Sequence, residues 1–169
     1  EAMCYAEETL KKARQEAVVR GYEAVHFCPE TMGKVNQLGN LEEVLRLCQI
    51  DDTFIPCIDF GHLNARTLGG IKGREDYSNI LDKIENELGT DRLKIFHSHF
   101  SKIMYTDPGG EKKHLTFEDN VYGPEFEPLM ELVAQKNLSP VFICESAGTQ
   151  AEDALTMKKS YMSFDTERI

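Results

Sequence analysis

Apolar residues recur along this chain in a helix-like segment, then a short apolar run, then a polar stretch, and the unit repeats four times. Residues 4–20 place Ala6, Leu10, Ala13 and Ala17 three or four apart, the spacing of one helical face. Gly21 is a natural stop, and Ala24 to Cys28 read as a strand leading into Pro29-Glu30. Asn40, with Glu43 three positions on, predicts a helix start; that helix runs through Val44 and Leu47 to about Ile50. Thr53 to Asp59 is the second strand. Tyr77, Ile80, Leu81, Ile84 and Leu88 stripe a helix over 75–88 that Gly89 ends, and Leu93 to His97 is the third strand. Residues 101–122, with Pro108, Gly109 and Gly110, are expected to form a long polar loop of the kind that is usually functional or disordered. A fourth helix is expected over 124–137 behind a Gly-Pro start. Pro140 to Cys144 is the fourth strand, and Thr149 with Glu152 caps a last helix.

Strands alternating with helices of this length predict an α/β fold, a parallel sheet wrapped by helices. Residues 1–169 read as one domain, with no linker or low-complexity segment. Four βα units are half of the eight that close a (β/α)8 TIM barrel, which takes about 250 residues. An unclosed sheet exposes a long edge. The chain is therefore expected either to pair as a homodimer or to lack an N-terminal half that completes the barrel. It opens at Glu1 without an initiator methionine, which fits a fragment or a processed chain.

Composition narrows the function classes. An apolar fraction of 41% and a charged fraction of 28% belong to a soluble globular protein. No stretch approaches the roughly 18 apolar residues that span a bilayer, and no basic-then-apolar signal segment opens the chain. The five cysteines (Cys4, Cys28, Cys48, Cys57 and Cys144) are scattered singly, without a CxxC pair. They suit reduced thiols in a cytoplasmic protein rather than a disulfide framework or thiolate zinc site. A formal net charge of −10 weighs against a polyanionic partner. Carboxylates gathered around a metal would supply part of that charge.

In parallel α/β folds the chemistry collects at the C-terminal ends of the strands. The four expected strands end in Glu30, Asp59, His97 and Glu145, each a metal-ligand type. One carboxylate at a strand end is ordinarily solvated or caps the next helix; four such ends, one a histidine, point to a divalent metal. Three carboxylates and an imidazole would repel strongly without a cation, and this donor set suits Zn²⁺, Mn²⁺, Fe²⁺, Co²⁺ or Mg²⁺. His62 follows Asp59 by three residues on the loop after the strand, His99 follows His97 by two, and His114 sits in the long loop. His26 reads as an interior filler, and His99 by itself as a solvated side chain.

These runs carry a resemblance. Pro-Glu30-Thr, Cys-Ile-Asp59-Phe-Gly-His62, Phe-His97-Ser-His-Phe-Ser101-Lys102 and Ile-Cys-Glu145-Ser resemble the second half of the endonuclease IV / xylose isomerase-like barrels, over essentially the whole chain. The endonuclease IV branch implies a zinc cluster that hydrolyses phosphodiesters at abasic DNA sites. Glu30 would then bridge two metals, Asp59, His97 and Glu145 would complete one, and His62 and His114 would bind a third. The resemblance also calls for an aspartate two residues before the loop histidine, where Lys112 stands. The other branch, sugar isomerases and epimerases, implies one divalent metal, Mn²⁺ or Mg²⁺ as well as zinc, with Glu30 and Glu145 as the proton-transfer pair and a small sugar as substrate. A half-barrel without catalysis is the third reading.

Overall fold

The computed structural model describes residues 1–164. Along them run α1 (Ala2–Val19), α2 (Leu41–Cys48), β1 (Cys57–Asp59), α3 (Phe60–Arg66), α4 (Arg74–Leu88), α5 (Thr90–Lys94), β2 (His97–Phe100), β3 (Lys102–Thr106), β4 (Gly110–Leu115), α6 (Glu127–Gln135), β5 (Val141–Cys144) and α7 (Gln150–Phe164). β1, β2 and β5 form a parallel sheet in that order, and β3 and β4 form an antiparallel hairpin. The α/β class and the parallel sheet are as expected for part of a TIM barrel.

The helix signals hold where capping is strong. The Asn40 side chain accepts from the Glu43 amide at 2.9 Å, and Glu43 reciprocates with the Asn40 amide at 2.9 Å, so α2 starts where the spacing put it. In α4 the stripe residues Tyr77, Leu81, Ile84 and Leu88 are all buried. At α7, Thr149 pairs with Asp153 rather than Glu152, its hydroxyl donating at 2.9 Å.

Five expectations need correction. Ala24 to Cys28 do not form a strand. Residues 27–31 run beside β1 and exchange backbone bonds with it, but Pro29 has no N–H to donate, and only a single bridge, Glu30 with Cys57, is made. His26 on that segment is exposed, with Nδ1 2.8 Å from the Thr53 carbonyl, not an interior filler. Leu93 to His97 are not a strand either: after Gly89 the chain turns once more as α5, burying Leu93 and then Phe96, so His97 opens β2 instead of ending a strand. The long loop is the β3–β4 hairpin followed by an irregular segment; its polar, glycine-containing turn over 107–110 hid the pairing. Finally, His62 lies within α3 and is buried.

Side chains alternate across the sheet with a period of two. Ile58, Phe100 and Cys144 point to the helices and join the main core, where Phe60, Tyr77 and Phe96 are each no more than 1% exposed. Phe60 meets Tyr77 at 5.3 Å and Phe100 at 6.2 Å between ring centroids, and Phe100 meets Phe117 at 5.7 Å. Cys57, Asp59, His97, His99, Val141 and Ile143 take the opposite face, the side that would line a barrel. None of the described helices is long and apolar enough to cross a membrane.

Candidate metal centre

Glu30, Asp59, His99 and Glu145 each bring a ligand atom to within 4.8 Å of the others. The backbone places them. The Thr31 amide donates to the Cys57 carbonyl at 3.1 Å, and the Thr31 hydroxyl accepts from the Asp59 amide at 2.9 Å, which sets Glu30 beside the end of β1. Asp59 pairs with His99 in the β1–β2 register, and Glu145 extends β5 by donating its amide to the Phe100 carbonyl at 3.0 Å. His99 Nδ1 lies 3.1 Å from Glu30 Oε1 and 3.4 Å from Glu145 Oε1.

The expected quartet thus assembles with His99 in the position assigned to His97. His97 is two residues short of the carboxylates and groups instead with Cys57 and His99. Because β2 starts at His97, the strand carries both histidines on one face and delivers the second to the rim. The i, i+2 spacing was the signal that could have found His99; misplacing the strand start obscured it.

Asp59 does two things at once. Its Oδ1 accepts from the His62 amide at 2.7 Å and caps α3, the ordinary role of a strand-end carboxylate. Its Oδ2 is buried without a hydrogen-bond partner. A buried carboxylate oxygen left unsatisfied is costly, and burial pushes the Asp59 carboxyl above its usual pKa. An oxygen in this state, facing two further carboxylates, fits a cation.

A second group adjoins the first. His62, Glu111 and His114 also bring ligand atoms within 4.8 Å of one another. His62 Nδ1 is 2.8 Å from the Thr31 carbonyl, and its Nε2 is 3.6 Å from Glu111 Oε2. His114 Nδ1 is 2.8 Å from the Ser101 hydroxyl, and its Nε2 is 3.8 Å from Glu111 Oε1. Each imidazole is therefore oriented through Nδ1 and presents Nε2 to the same carboxylate, the arrangement by which outer partners aim metal-binding histidines. His62 joins the two groups, with Nδ1 3.5 Å from Glu30 Oε1 and 3.4 Å from Asp59 Oδ2. Burial opposes charge on His62, but Glu30, Asp59, the Thr31 carbonyl and Glu111 outweigh it and hold its pKa up at about 9. Burial likewise works against the Glu30 carboxylate, and His62 and His99 overcome it, leaving that pKa below its usual value. In the metal-free protein the proton on His62 supplies positive charge that the carboxylates demand.

Glu111 had no signal in the spacing. In a regular strand, residues 111 and 114 face opposite ways. Here the register runs Met104 with Lys113 and then Tyr105 with Glu111, so Lys112 is the extra residue of a bulge. The bulge turns Glu111 onto the face of His114 and leaves Lys112 exposed. The residue expected to spoil the site is thus pointed away from it, and its neighbour supplies the carboxylate. Two glycines allow the close approach. A Cβ at Gly33 would meet Glu111 Cβ at 2.6 Å and His62 Cδ2 at 3.1 Å, and one at Gly61 would strike the Ser101 carbonyl. Lys102 is buried behind the hairpin, donating to the Asp119 carbonyl and to Glu125, each at 2.7 Å. An open cleft of about 450 Å³ borders the groups, lined by His114, Glu145, Ser146 and Gln150 among others.

The profile of the xylose isomerase-like TIM barrel family matches residues 4–161. An uncharacterized protein of Methanocaldococcus jannaschii is 36% identical over 130 residues, which are 77% of this chain and 46% of that protein. The chain thus spans about half the length of the curated relative it matches. The family includes endonuclease IV and sugar isomerases and often binds divalent metals, in keeping with the donor groups seen here. With a parallel βα sheet whose rim gathers those donors and a match over nearly its whole length, the chain belongs to the xylose isomerase-like TIM barrel family, of which it forms a partial barrel.

Proposed function

We propose that the protein carrying this chain is an endonuclease IV-like, metal-dependent hydrolase of phosphodiesters at abasic DNA sites. One observation carries the reading: two donor groups lie side by side, joined by His62, with a buried orphan oxygen on Asp59 between them. Glu30, Asp59, His99 and Glu145 would hold one cation, and His62, Glu111 and His114 another. Zinc best suits the mixture of carboxylates and imidazoles, with Mn²⁺ or Mg²⁺ the harder alternatives. A bound cation of this kind supplies an activated water and offsets charge on phosphate. The chain's own residues would supply orientation and proton transfer: Glu145, which borders the cleft, would accept a proton from an attacking water, and the Ser101 hydroxyl would hold His114 through its Nδ1. Residues beyond this chain would complete the barrel, from an N-terminal half or from a second copy.

The test is cleavage of an abasic-site duplex by the intact protein loaded with Zn²⁺. Cleavage that is lost in Glu145→Gln is the expected result; no cleavage by a protein shown to hold metal in both groups sinks the reading.

A second reading keeps one observation of its own. Glu30 and Glu145 both approach the same nitrogen of His99, at 3.1 and 3.4 Å, as a glutamate pair around a single cation would. A sugar isomerase or epimerase would use that pair to move a proton between adjacent carbons. Solvent deuterium entering an aldose or ketose, without any duplex cleavage, would establish it instead.

A further inference from the structure

One layer below the carboxylates, the barrel-facing side of β1 and β2 carries a different set of donors. Cys57 and His97 are register partners on adjacent strands. His99 follows His97 on the same face by the two-residue period. One ligand atom from each of the three lies within 4.8 Å of the others. Cys57 is 2% exposed, and the rings of His97 and His99 meet edge to face at 5.3 Å between centroids.

Two features set this trio apart from interior filling. Bulky branched residues dominate TIM-barrel interiors, and β5 conforms with Val141 and Ile143. At the matching positions β1 and β2 present a thiol and an imidazole. The ring nitrogens of His97 also have no hydrogen-bond partner among the described residues; its ring contact is with His99.

We propose that Cys57, His97 and His99 form a separate site for a soft or borderline cation of the Zn²⁺, Cd²⁺ or Cu⁺ class, below the carboxylate group and sharing His99 with it. A thiolate with two imidazoles selects such ions over Mg²⁺ or Mn²⁺. Donors on one tetrahedral zinc lie roughly 3.5 Å apart, given its metal–sulfur and metal–nitrogen distances, so a bound ion would draw the trio together from its present spacing of within 4.8 Å. Binding exchanges the Cys57 thiol proton for the cation and releases it to solvent.

The experiment is a Co²⁺ titration of the metal-free intact protein, read by the near-ultraviolet thiolate-to-cobalt charge-transfer absorption. The band is expected in the wild type, absent in Cys57→Ser, retained in Glu145→Gln, and unaffected by excess Mg²⁺. In His97→Gln the titration midpoint moves to higher Co²⁺. No band in the wild type, or a band that survives Cys57→Ser, overturns the site. Should Cys57→Ser fail to fold, an unchanged midpoint in His97→Gln does so. Because Glu145→Gln removes cleavage but spares the band, failure of the nuclease reading and failure of this site are separately visible.

Discussion

The two faces of the β1–β2–β5 sheet share one backbone and behave as opposites. On the helix side, Ile58 and Phe100 are fully buried among aromatic rings, and each contact is apolar and mutually supportive. On the barrel side, the same three strands and the segment before β1 set Cys57, Asp59, His97, His99, Glu30 and Glu145 near one another, with an unsatisfied oxygen on Asp59. Hydrophobic burial drives folding in proportion to area, so the first face holds the fold. The second leaves a buried carboxylate oxygen of Asp59 without a hydrogen-bond partner, and burial raises that carboxyl's pKa. The sheet therefore separates stability from chemistry by residue parity, and a one-residue step along a strand crosses from one to the other.

The largest expected effect comes from attacking the helix side. Phe100→Ala removes a ring packed against Phe60, Phe117 and Phe126 and should cost about 3–5 kcal/mol, read as a fall in urea midpoint that added zinc does not repair. A cost below about 1 kcal/mol would mean that the core does not depend on this face, and the contrast between the faces would be wrong.

The barrel side should respond to pH where the helix side does not. His62 has its folded pKa raised from 6.5 to about 9. Its stabilisation is therefore fully present below about pH 6.5 and is lost as the pH climbs through 9, an effect on the order of 3 kcal/mol by linkage. Metal-free protein should thus show a clear drop in unfolding midpoint between about pH 6 and pH 10 beyond that of His62→Gln. Saturating zinc should flatten the drop, because the cation takes over the proton's electrostatic role. An identical drop with and without zinc would show that His62 is not part of a cation site.

The helix side was also the more legible in the sequence. The stripes at Tyr77, Leu81, Ile84 and Leu88, and the Asn40–Glu43 cap, are local signals and they hold. Strand ends were harder because they depend on partners distant in sequence. Pro29 breaks a ladder that the apolar run Ala24 to Cys28 suggested, and α5 shifts β2 by enough to exchange His97 for His99 at the rim. Parity decides which side chains share a face, so an error of two residues in where a strand reaches its rim keeps the residue type but sets His97 one layer away from the carboxylates that His99 meets. Glu30, Asp59 and Glu145 were readable because a carboxylate directly follows each apolar run. Glu111 was not, since its orientation rests on a bulge that no spacing rule reveals.

That bulge supplies the smallest effect and the sharpest distinction. The resemblance calls for an aspartate where Lys112 stands, two residues before His114, so that Lys112→Asp would add a ligand and raise metal stoichiometry. The structure reverses this expectation: Lys112 is the extra residue opposite the break between Met104 and Tyr105 and is exposed, while Glu111 sits 3.6 Å from His62 and 3.8 Å from His114. Lys112→Asp should accordingly leave zinc stoichiometry unchanged, and Glu111→Gln should lower it by one ion per chain. Gly33→Ala is a check through packing, because its Cβ would displace Glu111 and should weaken the same ion without altering Asp59, His99 or Glu145. Mass-spectrometric counting of zinc in the three variants decides the matter. A gain of metal in Lys112→Asp with no loss in Glu111→Gln would mean that β4 runs without its bulge, and that the barrel side of this hairpin is regular after all.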